Sequence, residues 1–117
     1  MRTLAILALA VLMAAPSLTY AQQLLRLPNL ESMKHITTRD SEHATDIPGK
    51  ETAMDFYSGP GGLVYTVYAF RGRTIAFSTH SNSDPQKSYR VYMDLTGKGL
   101  FQQINSGPWQ VPAWARR

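Results

Sequence analysis

Alternating apolar and polar positions are concentrated in residues 62–104, and this alternation predicts antiparallel β-strands. The stretch is rich in β-branched and aromatic side chains and is divided by clusters of glycine, serine and asparagine that are typical of turns. Four strands are predicted within it, with a weaker one before them: residues 63–70, 74–79, 88–95 and 100–104, and residues 52–58.

The pairing of residues 63–70 with residues 74–79 depends on the turn at Arg71 and Gly72. A two-residue turn makes Phe70 oppose Arg73 and puts Ile75 and Phe77 on one face, whereas a three-residue turn moves both to the other face. In either register neither face is polar, so we expect both faces to be covered. With the two-residue turn, the first face carries Val64, Tyr68, Phe70, Ile75 and Phe77, and the second carries Leu63, Tyr65, Val67, Ala69, Ala76 and His80.

The segments on either side of the strands have a different character. Residues 22–51 begin with a short helical pattern after Pro28 and continue as a polar stretch without periodicity, which predicts a short helix and a flexible arm. The C-terminal residues alternate prolines with Trp109 and Trp114, which predicts an extended strap over the second face of the sheet. The predicted fold is therefore mainly β: a small, meander-like antiparallel sheet of four to five strands over residues 52–117, with a small sandwich or half-barrel as variants.

The first 21 residues have the three parts of a secretory signal peptide. Arg2 provides a positive charge, residues 4–15 are apolar, and Thr19 and Ala21 place small side chains at the positions that signal peptidase requires. The apolar run is shorter than the roughly 20 residues that span a bilayer. We therefore expect cleavage after Ala21, no transmembrane segment afterwards, and release into a bacterial periplasm.

Composition excludes several classes of function. The chain has no cysteine, which rules out disulfides, thiol catalysis and cysteine metal sites. Of its 12 basic residues Arg2 lies in the leader, which leaves 11 against 8 acidic ones and a net charge of +3. These charges are scattered instead of forming the basic stripe that nucleic-acid binding requires. No cofactor is predicted.

A binding surface is predicted from a polar loop and from the aromatic residues. Residues 78–87 form a long polar connection between two strands, and an exposed row of aromatic side chains on a sheet would bind a peptide, a glycan or a protein. Aromatic side chains on strands are more often part of a hydrophobic core, and this interpretation is favoured over an exposed row for the strand aromatics and for the two tryptophans. The candidate binding residues are His80, Asn82, Asp84, Tyr65, Trp109 and Trp114.

Three other chemistries are considered and ranked lower. His35, His43 and His80 could make a metal or small-ligand carrier, although their spacing matches no metal motif. Residues 94–99 resemble the start of a calcium loop, but Lys98 stands where an oxygen ligand belongs. A hydrolase site built from His80, Ser81, Ser83 and Asp84 ranks last, because catalytic triads converge from separate parts of a fold.

The sequence thus favours a secreted, non-enzymatic binding or protein-interaction module. Its expected partner is an envelope protein or a cell-wall glycan. No motif in the chain is specific enough to identify a family.

Overall fold

The computed structural model describes residues 23–42, 46–105 and 107–117. The predicted leader and His43 lie outside these ranges. The described chain contains seven strands: β1 (Leu24–Arg26), β2 (Lys34–Ser41), β3 (Gly49–Ser58), β4 (Leu63–Phe70), β5 (Arg73–Ser81), β6 (Arg90–Met93) and β7 (Leu100–Ile104). It also contains one turn of α-helix, α1 (Pro85–Ser88), and three short 3₁₀ turns at Leu30–Ser32, Pro60–Gly62 and Ala113–Arg116.

All seven strands belong to one antiparallel sheet in the order β1-β7-β6-β5-β4-β3-β2. The predicted class, mainly β with an antiparallel sheet, is confirmed, but the predicted number of four to five strands is too low. The two additional strands, β1 and β2, lie in the segment assigned to a helix and a flexible arm, and they form the two edges of the sheet. Both edge strands are largely exposed, so their sequences show no buried, alternating face.

The hairpin between β4 and β5 has the predicted two-residue turn but a different register beyond it. Arg71 and Gly72 both have positive φ, 50° and 79°, as a tight hairpin turn that follows the twist of the strands requires. Phe70 pairs with Arg73, but a bulge then inserts Ile75, so that Tyr68 opposes Ala76.

The bulge corrects the predicted faces. Because one extra residue shifts all later pairings, Phe77 pairs with Val67 and lies on the opposite face from Ile75. His80 pairs with Val64 and therefore lies on the face of Val64, and not on the predicted face of Leu63 and Tyr65. As a result of the bulge, Ile75 and Phe77 belong to separate hydrophobic clusters.

The two faces of the sheet are named here after the segments that cover them. The crossover face carries Val67, Phe77 and Phe101, and the crossover segment, residues 27–33, packs Leu27 and Leu30 onto it. The tail face carries Tyr68 and Ile75, and it is covered by the tail, residues 107–117. The prediction that both faces are covered is therefore confirmed, but the tail lies on the face of Tyr68 and Ile75 and not on the face of Tyr65 and Val67.

The crossover segment also requires the sheet to curl. It joins Arg26 at one edge to Lys34 at the other. Eight fully extended residue steps span at most about 28 Å, whereas seven flat strands would place the edges about 29 Å apart. Because the segment also makes a 3₁₀ turn at Leu30–Ser32, the edges must approach each other across the crossover face. The tail face is therefore on the outside of the curve.

In the part of the chain that the structure describes, no helix has both the length and the apolar character needed to cross a membrane.

Candidate functional site

An open cleft of about 560 Å³ lies on the tail face, next to the part that the tail covers. Strands β3, β4 and β5 form its floor, and α1 and the segment before β3 form its walls. The lining residues are Met54, Phe56, Thr66, Tyr68, Ser78 and His80 on the floor, with Asp46, Pro85, Gln86 and Tyr89 around them. The volume is within the range of natural small-molecule sites.

The cleft exists because small residues meet at its centre. Thr66 and Ser78 are directly opposite each other in the β4–β5 pairing, and both are buried. Phe56 on β3 pairs with Thr66 from the other side. Two short side chains next to a ring leave a depression that an aromatic pair would fill, as Phe77 and Tyr92 do on the crossover face.

A chain of hydrogen bonds forms the polar end of the cleft. The Tyr68 and Tyr89 hydroxyls are 3.4 Å apart, and the Tyr89 hydroxyl donates to Oδ2 of Asp46. Oδ1 of Asp46 accepts the backbone N–H of Gly107 at 2.9 Å, which fastens this wall to the tail. Both oxygens of the nearly buried Asp46 are therefore engaged.

The two phenols at this end remain protonated at neutral pH. Desolvation by burial, followed by the hydrogen bonds to Asp46 and Tyr68, raises the pKa of Tyr89 well above its ordinary value. Burial also raises the pKa of Tyr68, against the opposing effect of its hydroxyl neighbours. These groups can donate and accept hydrogen bonds, but they do not supply a base.

One hydroxyl on the floor is unsatisfied. Ser78 is 1% exposed, and its Oγ makes no hydrogen bond of normal geometry with the described residues. Burial raises the pKa of Tyr68, and a weaker hydrogen-bonding interaction with Ser78 lowers it in part but leaves the serine hydroxyl without a well-formed bond. The only other described side chain in this condition is Thr52, which pairs with Phe70 and does not line the cleft. A buried, unpaired hydroxyl costs roughly 1–3 kcal/mol. Such a group beside a cavity is a candidate for contact with a ligand.

The six candidate binding residues do not form one site in the structure. His80 lines the cleft, with its ring centroid 6.5 Å from that of Tyr89. Asn82 and Asp84 are exposed in the loop before α1, where Asp84 Oδ1 accepts the N–H of Lys87 at 3.4 Å and caps the helix. Tyr65 packs with Val67 on the crossover face.

The two tryptophans are half-buried and pack against the hydrophobic core of the tail face. The indole N–H of Trp114 donates to the carbonyl of Asp94 at 2.7 Å, and that of Trp109 donates to the carbonyl of Asn105. Both rings are therefore part of the cover and not an exposed row.

In the turn that resembles a calcium loop, the aspartate side chain is bound by backbone N–H groups of the same turn. Asp94 is 2% exposed, and its carboxylate accepts the N–H groups of Thr96, Gly97 and Gly99 at 3.3, 2.8 and 2.9 Å. An Asp in this position organises the turn from β6 to β7.

The remaining histidine with described contacts, His35, lies on the crossover face. Its Nε2 is 3.0 Å from Asp55 Oδ1 and 3.1 Å from Thr38 Oγ1, and its ring packs edge-on against Tyr57. A triad needs its acid and its nucleophile on different ring nitrogens, so this cluster lacks the geometry for one. No group of three metal-binding side chains occurs in the described ranges, and the sheet separates His35 from His80.

Comparison with known proteins gives no assignment: no family model matches the chain, and the searches of curated proteins and of solved structures also find no match.

No sequence pattern marks Asp46, Ser78 and Tyr89 as members of a common site. Two local signals were available. Asp84 followed by Pro85 is typical of a helix start and marks α1. Ile47, the single large aliphatic residue of a polar segment, is fully buried and brings its neighbour Asp46 against the sheet.

Proposed function

We propose that this protein is a secreted, non-enzymatic binding protein that takes a small molecule into the cleft on the tail face. The observation that carries the proposal is the cleft itself, because it has an apolar side at Met54 and Phe56 and a hydrogen-bonding side at Tyr68 and Tyr89. Small-molecule sites combine these two features in a preformed depression.

The chemistry of the lining supports binding without catalysis. Both oxygens of Asp46 accept hydrogen bonds, and Tyr89 keeps its proton at neutral pH. Catalysis of proton transfer needs a group that is poised to change its protonation state near the working pH. His80 is the only imidazole in the described lining, and no described nucleophile is hydrogen-bonded to it.

The proposed location follows from the leader, and the site is expected to face the periplasm. An envelope protein or a cell-wall glycan remains the competing type of partner. Such a partner would need an exposed aromatic surface, but Trp109 and Trp114 pack against the core. The cleft therefore supports a small-molecule ligand better than it supports an envelope protein or a glycan.

The test is a titration with N-phenyl-1-naphthylamine, an uncharged dye that fluoresces when it enters an apolar site. We expect saturable binding with one site per chain. Gln86→Trp, at an exposed position that lines the cleft, should narrow the mouth and weaken binding about tenfold. Lys87→Trp adds the same ring at the next position of α1, outside the lining, and should change nothing.

Dye binding that is absent from the folded protein would refute the proposal. Equal effects of the two tryptophan substitutions would mean that the dye binds elsewhere. Capture of a glycan or a protein with no response at the cleft would favour the competing partner.

A further inference from the structure

We infer that the ligand is an uncharged molecule with an apolar, ring-sized body and one hydroxyl or carbonyl head, and that the Ser78 hydroxyl is the partner of this head. The inference rests on the proposed function, because it assigns a chemical class to the ligand of the same cleft. Three features of the lining support it: its charge, its unsatisfied hydroxyl and the arrangement of its apolar side.

The charge of the lining argues against an ionic ligand. The described lining contains no lysine or arginine, although the chain as a whole is basic. A ligand carboxylate or phosphate would therefore lose its hydration without gaining a lysine or arginine partner in the lining, which is costly. The single carboxylate, Asp46, is already engaged through both oxygens by Tyr89 and Gly107, so a ligand ammonium would have to displace one of them.

The position of the unsatisfied hydroxyl assigns the head of the ligand. Ser78 lies on the floor between Tyr68 and His80, and its Oγ has no partner in the described chain. Because Ser78 is 1% exposed, the head reaches its hydroxyl only if neighbouring side chains of the floor shift.

A serine hydroxyl can both donate and accept a hydrogen bond, and the imidazole of His80 adds a second hydrogen-bonding group to the lining. These groups match a hydroxyl or a carbonyl on the ligand without any charge. Satisfying a buried hydroxyl also removes the penalty that the free protein bears, which adds to the affinity.

The apolar part of the lining is suited to a flat ring. Met54 and Phe56 come from β3 on one side, and Pro85 comes from α1 on the other. The polar residues of the floor, Thr66 and Ser78, lie between these two sides. Aromatic and thioether side chains pack well on aromatic faces.

The test compares four probes that share one ring system. They are 2-naphthol, naphthalene, 2-naphthoate and 2-naphthylmethylammonium, titrated at neutral pH by calorimetry and by displacement of N-phenyl-1-naphthylamine. We expect 2-naphthol to bind about tenfold more tightly than either charged probe and about three- to tenfold more tightly than naphthalene.

Ser78→Ala distinguishes a role of the hydroxyl in ligand binding from a role in folding, because it should raise the stability of the protein while it weakens the binding of 2-naphthol. Removal of a buried, unpaired hydroxyl should raise the melting temperature by roughly 4–8 °C. The same change should remove the preference for 2-naphthol over naphthalene. Thr52→Val is the matched control, since it removes the other unsatisfied hydroxyl and should raise the melting temperature without altering the binding of any probe.

The outcomes distinguish this inference from the proposed function. If the dye binds but a charged probe binds as tightly as 2-naphthol, the ligand class is wrong and the cleft remains a binding site. If Ser78→Ala leaves the preference for 2-naphthol intact, the assigned partner is wrong. If neither the dye nor any probe binds the folded protein, the proposed function and this inference both fail.

Discussion

The two faces of the sheet are covered by residues 27–33 and by residues 107–117, and the cleft lies on the face that has the longer cover. On the crossover face the strands provide their own large side chains, with Phe77 stacked on Tyr92 at 4.9 Å and in edge contact with Phe101 at 5.2 Å. Leu27 and Leu30 only have to close over them. On the tail face the strands place Thr66 and Ser78 at the centre.

This difference shows that a cleft can be set by the size of central strand residues and not by the length of a cover. The tail brings Trp109 and Trp114 to the tail face, but it fills only the end near Ile75. Substitutions on the two faces of the sheet test this difference in packing.

The largest loss of stability is expected for a substitution in the hydrophobic cluster of the crossover face. Phe77→Ala removes a ring that is 2% exposed and should destabilise the protein by about 3–5 kcal/mol. Phe56→Ala, in the cleft, removes a ring that is only partly buried and should cost roughly 1–2 kcal/mol. Urea denaturation measures both, and equal losses would contradict the difference between the faces.

The next effect concerns the attachment of the tail. Gly97 has a φ of +83°, and a Cβ there would come within 2.9 Å of the Trp114 ring, so Gly97→Ala should cost about 2–4 kcal/mol. Gly99 has a similar φ of +78° but open space around it, so Gly99→Ala should cost only about 1–2 kcal/mol. Thermal unfolding of the pair measures the contribution of the Trp114 contact. If the two variants unfold together, that contact contributes nothing.

The smallest expected effect on stability appears only at alkaline pH, and it comes from Tyr89 at the polar end of the cleft. The pKa of Tyr89 is raised above its ordinary value of 10.0, so the unfolded chain loses this proton before the folded protein does. The stabilisation is therefore complete below pH 10 and is lost as the pH rises above it.

Tyr89→Phe removes this proton and should make the alkaline loss of stability shallower, while lowering stability at neutral pH through the lost bond to Asp46. Urea midpoints over an alkaline pH series measure the slope. Parallel curves for the wild-type protein and the variant would show that Tyr89 is not responsible.

The fold was predictable where side chains alternate and are buried. Residues 63–70 and 100–104 correspond to β4 and β7, and Arg71 and Gly72 form the expected turn. β2 was not predictable from periodicity, because an exposed edge strand does not bury one side of its residues. The bulge at Ile75 was missed because alternation alone does not reveal an inserted residue.

The candidate site was less predictable than the fold. Only His80 was selected from the sequence and lies in the cleft. Thr66 and Ser78 become neighbours only through the pairing of β4 with β5, which the bulge determines. Asp46 joins the site from a different segment, and its partners Tyr89 and Gly107 are 43 and 61 residues away along the chain.

The bond between Asp46 and Gly107 has a consequence for the order of folding. A contact between residues that lie 61 positions apart forms late, because the chain entropy must be spent before the bond contributes. This wall of the cleft is therefore completed only after the strands between the two residues have paired. Dye binding that appears during refolding would report this late step.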